Sequence, residues 1–230
     1  MSKINNMKDL TLIIPAKREA ESLPYVLDEL SKFNLKIKII LQEDDKDTID
    51  AIKNYNCELV FQKKNGYGNA LITGLNNVTT KYFCIFNADG SFNPNELENM
   101  LKKIDDPDSK IDIIFASRYE KHSSSEDDTI LTFIGNKIFT FLGRFFFKIN
   151  ITDILYTFVL GKAEECRNLN LESQDFKFCV ELPIKAKRNN LIMSTTFSNE
   201  RKRIAGKKKV KEFKDGTIIL LYLLKLYLAK

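Results

Sequence analysis

The stretch Lys81 to Ile104, "KYFCIFNADGSFNPNELENMLKKI", carries the reading of the fold. Its apolar opening, "KYFCIF", reads as a buried strand, and 94–104 reads as a helix opened by Pro94. The polar turn "NADGS" therefore lies where a strand ends and a helix begins. Two oxygen-bearing side chains spaced i, i+2 at such a strand end can hold a divalent cation against a diphosphate, because hard cations prefer oxygen ligands. Here only Asp89 is an acid, while Asn87 offers an amide oxygen. Asp89 is expected to bear most of the metal charge, with a diphosphate supplying the other anionic oxygens, so that the cation is held mainly in a ternary complex. The competing reading of these residues is an Asx turn that caps the following helix.

The same alternation recurs along the first half of the chain. "LTLIIP" (10–15), "KIKIIL" (36–41), "CELVF" (57–61) and "IDIIFA" (111–116) are further strand candidates, with helices expected at 47–54 and 69–77. Leu23, Val26, Leu27, Leu30 and Phe33 mark one face of another helix, opened by Ser22 and Pro24. Short apolar runs separated by helices signal βαβ units. They predict an α/β fold of nucleotide-binding type, with a mainly parallel central sheet flanked by helices and ligands collected at the carboxyl ends of the strands. Most of the unusual residues fall at those ends: Pro15 to Glu19, Gln42 to Asp45, Lys63 to Gly68, and "NADGS" itself.

Each position carries its own chemistry. Glu19 can accept hydrogen bonds from a ribose or a base, or serve as an acid favoured at a helix N-terminus. Among Gln42, Glu43, Asp44 and Asp45, Glu43 is the expected nucleotide contact. In the loop of Lys64, Gly66 and Gly68, the glycines allow close backbone approach to a ligand and the lysine can meet phosphate; a plain turn uses the same glycines. Arg118 ends a strand where a guanidinium suits phosphate or forms an ion pair. Glu181 is an acid inside an apolar helical pattern, which calls either for orientation of an acceptor or for a cation such as Lys185.

Bulk properties limit the function. A chain of 230 residues that is 43% hydrophobic can bury roughly 70% of its unfolded surface, enough for one core. The expected division is a domain over 1–215 and an apolar C-terminal helix over 216–230, packed on the core or lying in a membrane interface. The net charge is +5, concentrated in "ERKRIAGKKKVKEFK" (200–214), which wants an anionic partner. Nucleic acid is a poor candidate, because Phe213 is the only aromatic in that run. The cysteines Cys57, Cys84, Cys166 and Cys179 show no CxxC spacing and the opening residues show no signal-peptide core, which fits a reducing cytoplasm. With His122 as the sole histidine, and that one inside the polar stretch "YEKHSSSEDD", the sequence points away from a Ser-His-Asp triad and from a His-rich metal site, and catalysis is expected to rest on carboxylates and cations.

Seven stretches, in order along the chain, resemble the family 2 glycosyltransferases, and especially the polyprenyl-phosphate sugar synthases similar to dolichol-phosphate mannose synthase. They are "IPAKREAESLP", "KKNGYGNALITGL", "NADGSFNP", "ASRY", "TDILYTF", "FKFCVELPIKA" and "ERKRIAGKKKV". The resemblance implies a GT-A type fold and an inverting hexosyl transfer from a nucleotide-diphosphate sugar, with Mg²⁺ or Mn²⁺ at Asp89 and Asn87. It implies substrate contacts from Pro15, Ala16, Glu19, Glu43, Lys64, Gly68, Asn87, Ala88, Arg118, Arg201 and Arg203. Asp153 resembles the acid that opens the acceptor-side motif, and Glu181 is a further candidate there. The chain departs from the family pattern at Arg18, where Asn is usual, at Thr157, where glycine is typical, and at Val159, where arginine is typical. A polyprenyl-phosphate acceptor is already anionic and needs no base, whereas a hydroxyl of a cell-envelope glycan precursor would need Asp153 or Glu181. The rival reading is a catalytically silent relative that binds the nucleotide sugar or a membrane.

Two segments point to a membrane surface. In "ILTFIGNKIFTFLGRFFFKI" (130–149), Lys137, Arg144 and Lys148 project within roughly 40° of one another at helical spacing, leaving a broad apolar face. A narrow cationic stripe on such a helix suits an interface with anionic lipid, and burial against the core is the alternative. The tail "TIILLYLLKLYLAK" is apolar but short of the ~20 residues that span a bilayer. The expected location is the cytoplasmic face of the cell membrane. There Arg201, Arg203 and the lysines 207–209, hinged at Gly206, would form a mobile clamp on the acceptor phosphate.

Overall fold

The computed structural model describes residues 5–206 and 208–229. In chain order its elements are β1 (Leu10–Pro15), α1 (Leu23–Leu30), β2 (Lys36–Leu41), α2 (Lys46–Ile52), β3 (Glu58–Phe61), α3 (Tyr67–Asn76), β4 (Tyr82–Ile85), α4 (Glu96–Ile104), β5 (Ile113–Ser117), β6 (Ser124–Ser125), α5 (Ile130–Phe147), β7 (Val159–Lys162), α6 (Ala163–Arg167), α7 (Phe178–Arg188), β8 (Met193–Phe197), β9 (Asn199–Glu200) and α8 (Glu212–Leu228). The strands read from the sequence correspond to β1 through β5. The apolar face expected on the first helix is the buried face of α1, formed by Leu23, Val26, Leu27 and Leu30, while Phe33 lies beyond the end of the helix and packs on the same core.

The main sheet has the order β3-β2-β1-β4-β7-β5-β8. Strands β1 to β4 pair in parallel, β8 is parallel to β5, and β7 runs antiparallel between β4 and β5. Helices cover both faces, so the central strands are continuously apolar rather than alternating. One layer joins Leu12, Ile14 and Leu41 to Leu27 of α1 and Leu97 and Met100 of α4. The other joins Ile13, Ile40 and Phe83 to Leu71 of α3, Val180 of α7 and Leu223 of α8. Strand β1 has β2 on one side and β4 on the other, so the chain winds in opposite directions from this pair. A crevice opens at the carboxyl ends of β1 and β4, which is where Pro15–Glu19 and Asn87–Asp89 stand.

The antiparallel strand β7 is an addition to the sequence reading. Its run VLGK loses apolar character at Gly161 and Lys162, and it exists because Leu160 pairs across to Cys84 and Ile114 while Val159 pairs to Ile85 and Phe115. Val159 is 1% exposed. That burial accounts for an apolar residue where the family pattern has arginine, since an unpaired charge there would be strongly disfavoured.

Helix α8 begins at Glu212, so a break at 215/216 falls inside one element. It buries Ile219, Leu223 and Leu226 and packs on α5, where the Phe146 and Tyr227 rings lie 4.8 Å apart. Its opposite side, with Leu220, Leu221, Leu224 and Leu228, is exposed. Helix α5 is long and apolar enough to cross a membrane by length and composition. One edge of it is nevertheless tied into the domain: Asn136 Nδ2 donates to Tyr119 Oη at 2.9 Å, and Thr140 Oγ1 accepts from Ile154 N at 3.1 Å.

Candidate functional site

A cavity of about 850 Å³ opens at the β1/β4 crevice and runs toward α5 and α8. Pro15, Ala16 and Glu19 line it from the β1 end, Asn87, Ala88 and Asp89 from the β4 end, and Gly66 and Tyr67 from the turn before α3. Its far wall is mainly apolar, with Leu131, Ile138 and Phe139 of α5 and Ile219 and Leu220 of α8, beside Thr132, Asn136 and the charged first turn of α8. A second cavity of about 710 Å³ adjoins the first through Ala16, Lys17, Glu19, Gln42 and Asn65, and continues past Asp44 and Asp45. Together they form an elongated cleft, polar at one end and apolar at the other.

The turn after β4 is built around Asp89. Its Oδ1 accepts from Ser91 N at 3.0 Å, an Asx turn, and Gly90 takes φ 82°, a conformation that favours glycine. The turn leaves Oδ2 facing the cleft, where Arg203 Nη1 lies 3.5 Å away. Asn87 Nδ2 donates to Ser91 Oγ at 3.3 Å, which leaves its amide oxygen as the ligating atom. The Asx-turn and ligand readings thus coexist on different oxygens of one carboxylate. Among the described residues no group of three or more His, Cys, Asp or Glu could hold a metal ion. The chain supplies one carboxylate and one amide oxygen, a hard donor pair that suits Mg²⁺ or Mn²⁺ once a diphosphate completes the coordination.

Several expected contacts sit elsewhere. Glu43 is exposed and lines neither cavity; its neighbours Asp44 and Asp45 line the second one, and Asp45 Oδ2 accepts from Arg18 N at 2.7 Å. Arg18 takes φ 54°, the left-handed region that Asn tolerates better, which explains the Asn usual at this position. Lys64 is exposed and outside both cavities, and its carbonyl accepts from Gln42 Nε2 at 3.2 Å. The glycines of that loop make room for the 173–175 backbone, and of the two only Gly66 also lines the cavity. A Cβ on Gly68 would lie 2.1 Å from the Ser173 carbonyl oxygen, and one on Gly66 would lie 2.0 Å from that of Gln174.

The acidic residues expected on the acceptor side are also engaged. Asp153 is 1% exposed and grips Arg118 at two points, Nε–Oδ2 2.7 Å and Nη2–Oδ1 3.0 Å. Arg118 further reaches Asp128 at 3.2 Å and Glu200 at 3.4 Å. Although it touches the cavity wall, its charge is shared among three carboxylates, so the ion-pair reading of Arg118 holds over free phosphate recognition. Glu181 is fully buried, accepts from Ser173 N at 2.8 Å and pairs with Lys185 at 2.9 Å. Its carboxyl is held below the usual range: burial opposes this, but Lys185 and the backbone donors of Ser173 and Glu172 outweigh it. Neither Asp153 nor Glu181 faces the cleft.

The basic run is a strap across the cleft. Arg201 is anchored outside it, bidentate to Glu29 at 2.8 Å and donating to Phe92 O at 2.7 Å. Arg203 pairs with Asp127 at 3.0 Å as well as with Asp89, Lys208 reaches Asp127 at 3.5 Å, and Lys209 reaches Glu19 at 3.3 Å. Lys207 lies outside the described residues. The sequence reading missed Asp127, Asp128 and Glu200. They sit in an aperiodic polar stretch and on a two-residue strand, and only the β6–β9 pairing brings them together. Burial pushes the Glu200 carboxyl up, opposed by Arg118. Cys179, a thiol on the wall, is pushed up to about 12 by burial and is no thiolate nucleophile.

Comparison with known proteins agrees with this architecture. The model of the glycosyl transferase family 2 matches residues 11–168, and the chain belongs to that family. Uncharacterized glycosyltransferases of Mycobacterium bovis and Mycobacterium tuberculosis are 26% identical over 96 residues, 42% of this chain and 44% of theirs. The chain thus matches less than half the length of these curated relatives. Among solved structures, glucosyl-3-phosphoglycerate synthase from Mycobacterium tuberculosis with Mn²⁺, UDP-glucose and phosphoglyceric acid aligns with TM-score 0.74 at 12% identity, covering 95% of this chain and 79% of that one. The same enzyme with Mg²⁺ and UDP gives TM-score 0.73 at 12% identity, covering 94% and 78%. At that identity the likeness shows the fold, a GT-A architecture.

Proposed function

We propose that this member of glycosyl transferase family 2 is an inverting hexosyltransferase that moves a sugar from a nucleotide-diphosphate sugar to a polyprenyl phosphate at the cytoplasmic face of a membrane. The observation that carries the reading is the cleft itself, which joins a polar crevice at Asn87–Asp89 to an apolar wall formed by α5 and α8. The nucleoside would lie along Lys17, Asp44 and Asp45, and the diphosphate against Asp89. Asp89 and Asn87 would hold Mg²⁺ or Mn²⁺, which offsets the charge developing on the departing diphosphate when bound. The solved structures of similar fold were crystallised with these ions beside UDP, which supports the choice.

A phosphate acceptor is favoured by the state of the two acids expected as a base. Asp153 and Glu181 are both committed to buried ion pairs away from the cleft. An acceptor phosphate oxygen is already anionic, so it attacks the anomeric carbon from the face opposite the diphosphate, and the bond from that carbon to the diphosphate oxygen breaks with no proton to remove. The apolar wall suits a hydrocarbon tail. Outside it, α5 exposes Ile134, Phe141 and Phe145, which project at roughly 40–80° from Lys137 at helical spacing. The cations Lys137, Arg144 and Lys148 therefore flank the exposed apolar band, an arrangement suited to anionic lipid. Kinship to the polyprenyl-phosphate sugar synthases similar to dolichol-phosphate mannose synthase belongs to this same proposal. A second reading, a glycan hydroxyl as acceptor, is favoured by the raised carboxyl of Glu200 on the cavity wall, which could act as base.

The test is transfer from radiolabelled UDP-glucose, GDP-mannose and dTDP-glucose to a short polyprenyl phosphate in detergent with Mn²⁺, read as label in the organic phase. Lipid-linked sugar with one donor supports the reading. Label transferred to a glycan acceptor and blocked by Glu200→Gln supports the second; no transfer to either acceptor rejects catalysis.

A further inference from the structure

The strap over 201–206 is fastened to the turn that carries the metal-motif acid. Ile204 N donates to Asp89 O at 2.8 Å and Arg201 N donates to Ser91 O at 2.8 Å. Ile204 also covers Gly90 so closely that a Cβ there would lie 2.4 Å from its Cδ1. This backbone seam fixes Arg203 above the outward oxygen of Asp89, with Nη1 3.5 Å from Oδ2, while Nη2 and Nε hold Asp127 at 3.0 and 3.4 Å. Ala205 and Gly206 continue over the neighbouring cavity beside Lys17–Ser22 and Asp44. The strap thus crosses the cleft at the junction of the two cavities, above the place where the reading given above puts the diphosphate.

One carboxylate oxygen cannot serve a guanidinium and a divalent cation at once without like-charge repulsion. Motif acids usually have a second carboxylate to share the load; here that position is Asn87. We infer that Arg203 is an exchangeable counter-ion: it neutralises Asp89 in the free protein and, when a divalent cation takes that oxygen, turns onto the diphosphate of the nucleotide sugar. Its planar fork matches two phosphate oxygens as readily as it matches a carboxylate. Asp127 is the second partner of the guanidinium in the free protein, released together with Asp89 when the diphosphate arrives. Arg203 then belongs to the leaving nucleoside diphosphate rather than to the acceptor, and it supplies part of the charge that the half-acidic motif recruits weakly through metal. This inference rests on the site being one for a nucleotide-diphosphate sugar.

The experiment measures two equilibria on the full chain: Mn²⁺ binding without nucleotide, followed by electron paramagnetic resonance of free Mn²⁺, and binding of UDP and of GDP at saturating Mn²⁺, by calorimetry. Exchange predicts opposite signs for Arg203→Gln, with Mn²⁺ alone binding about threefold tighter and the nucleoside diphosphate about tenfold weaker. Arg203→Lys should restore part of the nucleotide affinity. Asp127→Asn, which frees the guanidinium without removing it, should leave nucleotide binding unchanged or tighter; if Arg203→Gln does not fold, this variant and the lysine replacement decide. A purely structural strap residue would move both equilibria in the same direction, and that result overturns the inference. Unchanged nucleotide affinity in Arg203→Gln also overturns it while leaving the functional reading intact. Failure of the wild-type chain to bind UDP, GDP or, measured in the same way, dTDP rejects both.

Discussion

Asp153 and Arg118 form a two-point ion pair beneath the cleft, with Nε–Oδ2 at 2.7 Å, Nη2–Oδ1 at 3.0 Å and the acid 1% exposed. Arg118 is also the shared counter-ion of Asp128 and Glu200. Replacing it by Met leaves buried carboxylates without a cation, which costs about 3–5 kcal/mol. The melting temperature should fall by roughly 10 °C for a domain of this size. Asp153→Asn, which keeps a hydrogen-bonding isostere and leaves Arg118 two other acids, should cost markedly less. Equal losses in a denaturant titration would reject the shared-counter-ion account.

Asp89 is the one acid of the turn after β4 with an oxygen facing the cleft. Asp89→Ala should lower transfer by about 10² to 10³ or more, the range seen when one electrostatic partner of a transition state is removed. Asn87→Asp adds a second carboxylate at i, i−2 and should tighten Mn²⁺ binding in the absence of nucleotide. Full activity in EDTA, or in the Asp89→Ala variant, would sink the metal role.

The paired surfaces of α5 and α8 predict sedimentation with anionic vesicles. Each of Lys137, Arg144 and Lys148 contributes about 1 kcal/mol near an anionic surface, so the triple Gln variant should lose on the order of two decades of partition at low salt, and the triple Glu variant more. Phe141→Ser, 63% exposed in the wild type, should weaken binding without lowering the melting temperature. Absence of vesicle binding at low salt would return this face to a protein partner or to solvent.

Much of the fold was legible because its signals are local. Apolar runs with turn residues at their ends marked β1 to β5, and the spacing of Leu23, Val26, Leu27 and Leu30 marked the buried face of α1. Strand β7 was not legible, since its four residues are selected by pairing with β4 and β5 rather than by any pattern of their own. At the site, Asp89, Asn87, Glu19, Pro15 and Ala16 were readable because strand ends collect ligands. The partners of charged residues were not: nothing in the sequence tells Arg201 to choose Glu29, 172 positions away, or Arg203 to choose Asp127. Composition said that the strap is cationic, and only the tertiary fold says which anion each cation meets.

Gly68 tests how the α3 entrance is built. Its missing Cβ makes room for the Ser173 carbonyl, which would lie 2.1 Å away, and for the Asp175 carbonyl at 2.7 Å. Neither contact is a flexible side chain, so Gly68→Ala must displace the 173–175 segment and should cost about 1–3 kcal/mol. The same shift moves Asp175 and Phe176 on the cavity wall, so nucleotide affinity should fall together with stability. A stable variant with wild-type affinity would show that the loop relaxes freely.

Glu96 predicts a pH dependence. It is 6% exposed; Oε1 accepts from Asn199 N at 2.8 Å, while Oε2 has no hydrogen-bond partner. Burial raises its carboxyl above the ordinary value of 4.5, and the bond from the Asn199 backbone N–H offsets this only in part. A folded-state pKa above the unfolded one means that the native state binds the proton more tightly. The stability contributed by the group is then fully present below the unfolded value and is lost as pH rises through the folded one. Glu96→Gln keeps an acceptor for Asn199 and removes the titration, so whatever constant offset the new amide introduces, the variant should gain on the wild type between about pH 4 and pH 7. The check is a pair of melting curves across that range. A difference that widens in favour of the variant as pH rises confirms the buried, half-satisfied carboxylate, and parallel curves show that Glu96 ionises as freely in the folded chain as in the unfolded one.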